Sequence, residues 1–174
     1  MDLVADAIVG AQVTAVTADS RKHSCTEGAG LDRARVLVAD DHFALRERVA
    51  ALLEPDFEVV GQVANGRDLL TEARRLKPDV VVLDISMPLM DGIEAATQLL
   101  SSGSEARVVF LTIQDRIEFV RAGLAAGALG YVIKSRLTID LLTAIREILA
   151  GHRFISPVLP FAAINSEGNI PDEM

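Results

Sequence analysis

The chain has 174 residues, 50% of them apolar and only 4% aromatic, with a formal net charge of −8. That is ample for one core of Val, Leu, Ile and Ala, while the acidic balance excludes a whole-chain basic footprint for nucleic acid and disfavours an anionic membrane surface. A single cysteine, Cys25, leaves no internal disulfide and no cysteine metal set. The N-terminus carries Asp2 and Asp6 where a signal peptide needs basic residues, and no run reaches the ~20 apolar positions of a membrane span. The composition predicts a cytoplasmic protein.

Residues 1–33 read as a flexible N-terminal extension. Met1–Ala18 is rich in small residues, and Asp19–Asp32 is polar and contains glycine. His23 and Cys25 lie close together there but lack the further ligands that a metal site requires. From Arg35 the text becomes regular. Val36–Ala39 is a short apolar run ending in Asp40-Asp41, followed by apolar residues at helical spacing from Phe43 until Pro55 ends the helix. Phe57–Val63 is strand-like, and Asn65-Gly66 turns the chain into a helix over Arg67–Leu76. Pro78 precedes the run Val80–Leu83, which ends at Asp84.

A loop with Pro88 and Gly92 leads into a helix through Leu100, closed by Ser-Ser-Gly. Val108–Leu111 forms a fourth run, ending at Thr112, and a helix is predicted over Arg116–Ala126. Leu129–Ile133 forms a fifth run, ending at Lys134, before a last helix over Thr138–Leu149 closed by Gly151. Five continuous apolar strands alternating with five helices predict a parallel sheet covered on both faces, a doubly wound α/β domain over 34–151. Residues 152–174 read as a short C-terminal tail or truncated linker.

In such folds the ligand site lies beyond the carboxyl ends of the strands. Those ends carry Asp40 and Asp41, Asp84, Thr112 and Lys134. Singly, each residue has an ordinary use: a helix cap, a strand residue, a solvated lysine. Together they form a constellation. Clustered carboxylates repel, and Mg²⁺ relieves that repulsion in an open oxygen site. Lys134 brings a compact charge suited to a phosphoryl oxygen, and Thr112 a hydroxyl donor for a second one. Asp84 is then the nucleophile that forms an aspartyl phosphate.

Asp40-Asp41, then Asp84-Ile85-Ser86-Met87-Pro88-Leu89-Met90-Asp91-Gly92, Thr112 and Gly130-Tyr131-Val132-Ile133-Lys134 resemble the motifs of receiver domains of two-component response regulators. Ala39-Asp40-Asp41-His42 and Gly151-His152-Arg153-Phe154-Ile155-Ser156-Pro157 are similar to the NarL/FixJ branch. The resemblance implies a flavodoxin-like (βα)5 fold with strand order 2-1-3-4-5. It also implies a phosphoprotein of a phosphorelay, receiving its phosphoryl group from a sensor histidine kinase or phosphotransfer protein. Such a domain is not an enzyme with a separate substrate, although it assists its own phosphorylation and dephosphorylation.

Carried over by position, Asp41, Asp84 and the Ser86 backbone carbonyl would hold Mg²⁺ directly, and Asp40 through water. Thr112 and Tyr131 would be the switch pair, Tyr131 swinging inward. The face built by the fourth helix, fifth strand and fifth helix would change its partner preference, with a homodimer among the possible outcomes. Kinase specificity would lie around Phe43–Arg48. His42 reads as a solvated residue at a helix start.

Two positions depart from the family's habit. Ser135 follows Lys134 where many receivers have proline, so a cis bond there would cost ~3 kcal/mol or more and is left open. Ile113 follows Thr112 where a small residue is frequent, and its bulk predicts slower attack by water and a longer-lived phosphoryl state. Ser86, two past the acceptor, is a second candidate for tuning that lifetime.

Members of this branch usually continue into a LuxR-type helix-turn-helix domain. The residues after Pro157 are too few and too acidic for one, so direct DNA binding by this chain is not expected. A stand-alone receiver and a truncated transcription regulator both fit. A phosphorylation-independent interaction or dimerisation module is the alternative reading. A haloacid-dehalogenase-like phosphatase would need an Asp where Ser86 stands, and a nucleotide or flavin module would need a glycine-rich loop where Asp40-Asp41-His42-Phe43 stands. The cognate kinase, the input signal and the regulated process leave no trace in the sequence.

Overall fold

The computed structural model describes residues 33–159. The expected flexible extension over 1–33 lies, apart from Arg33, outside them, as does the tail from residue 160 onward. The elements in order are β1 (Arg35–Ala39), α1 (Phe43–Leu53), β2 (Glu58–Val63), α2 (Gly66–Leu76), β3 (Val80–Leu83), α3 (Gly92–Ser101), β4 (Arg107–Thr112), α4 (Ile117–Ala125), β5 (Gly130–Ile133), α5 (Leu137–Leu149) and β6 (Phe154–Ile155). A 3₁₀ turn, Lys134–Arg136, joins β5 to α5.

Every strand pairing is parallel, in the order β2-β1-β3-β4-β5-β6. The implied 2-1-3-4-5 order holds, with one more strand added at the edge. Because successive strand side chains point to opposite faces, each apolar run feeds two cores. Leu37, Val81, Leu83, Val108 and Phe110 meet Leu69, Ala95, Leu99 and Val120 from α2, α3 and α4. Val36, Val38, Val80, Val82, Val109 and Val132 meet Val49, Leu53, Leu141, Ile145 and Ile148 from α1 and α5. This two-sided burial explains why the apolar runs of the inner strands β1, β3, β4 and β5 do not alternate, whereas the edge strand β2 carries exposed Glu58 and Gln62.

Local chemistry sets the helix ends. The Asn65 side chain accepts the Asp68 backbone N–H and the Asp91 side chain accepts that of Glu94, starting α2 and α3. Lys77 closes α2 in the left-handed region (φ 48°) just before Pro78. After α5, Gly151 (φ 89°) turns the chain back, and β6 pairs with β5 through Phe154 N–H to Leu129 C=O and Ser156 N–H to Tyr131 C=O, both 2.9 Å. Leu159 is buried in the α2–α4 core, so packed structure continues beyond residue 151.

Candidate functional site

Register brings the strand-end residues together. Ala39 pairs with Leu83, so Asp40 and Asp84 emerge side by side from β1 and β3. Thr112 pairs with Ile133, which places Thr112 beside the start of the Lys134 turn. Asp40 and Asp84 are each only 2% exposed. Between them stands the Lys134 ammonium, 2.7 Å from Asp40 Oδ2 and 2.9 Å from Asp84 Oδ2.

The rest of the surroundings are uneven. Asp40 Oδ1 accepts the His42 backbone N–H at 2.8 Å, while Asp84 Oδ1 is buried with no hydrogen-bond partner. Asp41 is the outward member of the acidic pair, its Oδ1 2.9 Å from Nδ1 of the exposed His42 ring.

The electrostatics follow from burial. Desolvation raises the Asp84 pKa, and Lys134 pulls it down without cancelling the effect. For Lys134, burial favours the neutral amine, but hydrogen bonds and charge from Asp40 and Asp84 outweigh it and the pKa is raised. The ammonium is therefore firmly charged, and the Asp84 carboxyl group is held in a poorly solvating place.

One ammonium against Asp40, Asp84 and the neighbouring Asp41 leaves the cluster net negative. Ligand atoms of Asp40, Asp41 and His42 lie within 4.8 Å of one another. A buried, unpartnered carboxylate oxygen beside this group is what a hard divalent cation would satisfy, so the residues fit Mg²⁺.

The two switch candidates are joined by a residue the sequence reading passed over, Gln114. Its backbone N–H donates to Thr112 Oγ1 at 3.2 Å, and its carbonyl accepts the Tyr131 hydroxyl at 2.8 Å. Its side chain also reaches Ser86 Oγ at 3.5 Å. Nothing in the spacing or type of a loop glutamine marks it in advance. Tyr131 is fully buried, its ring tilted against Phe110 at 6.1 Å between centroids. Burial raises its phenol pKa, so the hydroxyl acts as a donor. Ile113 is 69% exposed immediately after Thr112. The Lys134–Ser135 bond is trans, as are all peptide bonds among the described residues.

A doubly wound parallel sheet with a carboxylate–lysine cluster at its carboxyl edge defines the class as a signalling receiver. The model of the "Response regulator receiver domain" matches residues 36–146. The response regulator GacA of Pseudomonas viridiflava is 42% identical over 125 residues, which are 71% of this chain and 58% of that protein. Among solved structures, a LuxR-family two-component response regulator from Aurantimonas sp. superposes with a TM-score of 0.69 at 36% identity, covering 72% of this chain and 91% of that one. The receiver domain of the putative regulator NarL from Mycobacterium tuberculosis gives 0.61 at 30% identity, with 67% of this chain and 98% of that one covered. The chain belongs to the response regulator receiver family of two-component systems, and spans less than two thirds of the length of its GacA relatives. Among the described residues no helix is long and apolar enough to cross a membrane.

Proposed function

We propose that this receiver is a cytoplasmic phosphoacceptor switch that takes one phosphoryl group on Asp84 from a sensor histidine kinase or phosphotransfer protein. The observation that carries this reading is the asymmetric setting of Asp84. One carboxylate oxygen is held 2.9 Å from Lys134, and the other is buried without a hydrogen-bond partner.

One Asp84 carboxylate oxygen attacks phosphorus while the other is left for the cation; the bond from phosphorus to the donor's imidazole nitrogen or acyl oxygen breaks, and its electron pair leaves with the donor. Asp41, Asp84 and the Ser86 carbonyl would hold Mg²⁺, with Asp40 acting through water; the ion supplies charge neutralisation for the transferring group. Lys134 moves from the carboxylate pair to a phosphoryl oxygen, which releases Asp40. Thr112 donates its hydroxyl to another phosphoryl oxygen. That withdraws Thr112 Oγ1 from the Gln114 N–H, and the same loop carries the Tyr131 contact, so the change reaches α4, β5 and α5. This face is where a partner, or a second copy of the chain, would be read. The domain turns over no separate substrate. It acts as acceptor and as catalyst of its own modification.

The test is intact mass after incubation with acetyl phosphate and Mg²⁺. Wild type is expected to gain about 80 Da, one phosphoryl group on one aspartate, and Asp84→Asn to gain nothing. An adduct that persists in the variant would place the acceptor elsewhere. Loss of the wild-type adduct on chelation of Mg²⁺ tests the metal requirement in the same assay.

Ile113 adds a second expectation. Its exposed side chain flanks the position where water must approach the phosphoryl group. Ile113→Ala is expected to shorten the half-life about threefold, less than 1 kcal/mol in barrier, as followed by decay of the adduct after donor removal. A half-life equal to wild type would show that this side chain does not restrict the water.

A further inference from the structure

Two buried polar residues, Asp140 on α5 and Ser156 just after β6, have no part in the acceptor chemistry. They are 4% and 0% exposed. Ser156 Oγ accepts the Ile133 backbone N–H at 3.2 Å and donates its own proton to Asp140 Oδ2 at 2.7 Å. Arg136 completes the group with Nε at 2.7 Å from Asp140 Oδ2 and Nη2 at 3.0 Å from Oδ1, a two-pronged guanidinium–carboxylate pair.

The placement of these contacts in the chain is informative. Ile133 immediately precedes Lys134, and Arg136 closes the same 3₁₀ turn that Lys134 opens. The turn is thus gripped at one end by Ser156 and at the other by Asp140, and the two gripping side chains are bonded to each other. No proline ring stiffens the turn, because Ser135 follows Lys134. Backbone pairing between β5 and β6 stops at Tyr131 and Ile155, so at Ile133 the hydroxyl takes over from the ladder.

We infer that Ser156 and Asp140, joined to Arg136, are positioning residues for Lys134, fixing the turn from which its ammonium reaches Asp84 and Asp40. The inference rests on the reading of Asp84 as the acceptor. Lys134 carries its charge on a flexible four-carbon stem, so the direction of reach depends on where the turn is anchored. Misplacement of a reacting group by about 1 Å costs up to a hundred-fold in rate. The Asp140 carboxylate is suited to a permanent clamp. Burial alone would raise its pKa, but Arg136 and Ser156 outweigh burial and hold it below the ordinary value, so it stays ionised at neutral pH. Residues beyond the fifth helix thereby belong to the acceptor machinery.

The test compares Ser156→Ala with Arg136→Gln, the latter at the more exposed end of the clamp where the core is undisturbed should the first variant fold poorly. Phosphorylation rates from acetyl phosphate are measured by intact mass, and Mg²⁺ affinity by calorimetry. Each variant is expected to be phosphorylated about five-fold more slowly, the rate equivalent of about one hydrogen bond, with Mg²⁺ affinity unchanged. Wild-type rates in both variants would overturn the inference. So would a parallel loss of Mg²⁺ affinity, which would mean general loosening of the site rather than displacement of Lys134. Absence of an adduct on wild type would instead sink the acceptor assignment on which the inference stands.

Discussion

Replacing Lys134 by Ala is expected to slow phosphorylation about a hundred-fold, the scale of losing one charged donor aimed at the transferring group. The same change should destabilise the domain, because Lys134 is the counter-charge of two buried carboxylates. Breaking such a pair from one side leaves an uncompensated charge and costs about 3 kcal/mol. For a domain of this size that lowers Tm by about 10 °C.

The deficit has a defined pH dependence. In wild type Lys134 has a raised pKa, so its contribution is complete below the unfolded lysine value and is lost only as pH rises through the folded one. Between pH 4 and 8 the lysine's own titration therefore adds no slope, and any pH dependence of the gap comes from the carboxyl groups it faces. Asp84 has a raised pKa even with Lys134 present, and removing the ammonium raises it further. A carboxyl group shifted in that direction favours folding while protonated. Its penalty sets in as pH climbs past the unfolded value of about 3.9 and is full above the folded one. Melts in chelator should therefore show the gap between variant and wild type narrowing as pH falls toward 4, and Mg²⁺ should recover part of the neutral-pH loss. Parallel melting curves at pH 4.5 and 8 would mean that Lys134 does not compensate these carboxylates.

Where the sequence was legible, a periodicity or a chemical type announced the structure. Val80–Leu83 and Val108–Leu111 are apolar without alternation because both faces of the sheet are covered, and their ends carry the residues that converge. What escaped depended on contacts distant in the chain or on backbone shape. Phe154–Ile155 is too short for a two-residue period to show, so nothing in the sequence separates β6 from the tail. Asp140 stands among apolar residues of a leucine-rich helix, and its burial is explained by Arg136 together with Ser156, sixteen residues on. Asp40 and Asp41 are chemically identical neighbours, and only the strand's exit direction makes one buried and the other exposed. Leu89 adopts a left-handed φ of 68° in the loop between β3 and α3, where no glycine warned of it.

Gly92, by contrast, stood in plain sight in the Asp91-Gly92 pair, and its substitution is expected to be among the most damaging in the domain. At the first position of a helix, Gly→Ala normally helps by up to about 1 kcal/mol. Here the sign reverses. A Cβ on Gly92 would lie 2.1 Å from the Asp84 carbonyl oxygen and 2.9 Å from Ile85 Cα, both backbone atoms that cannot rotate away. The Gly92 N–H donates to Ile85 C=O at 2.8 Å, so the start of α3 is tied to the root of the acceptor loop at the point where a methyl would force them apart. Gly92→Ala should cost about 3 kcal/mol in urea unfolding, the upper end of overpacking penalties, and slow phosphorylation as well, because the displaced backbone carries Asp84. The two readouts separate the ways the clash can be relieved. Lost stability with a normal phosphorylation rate would mean that α3 moves off and the acceptor stays in place. Lost stability with a slowed rate would mean that the acceptor itself gives way, and a wild-type midpoint would show that α3 accommodates the methyl without strain.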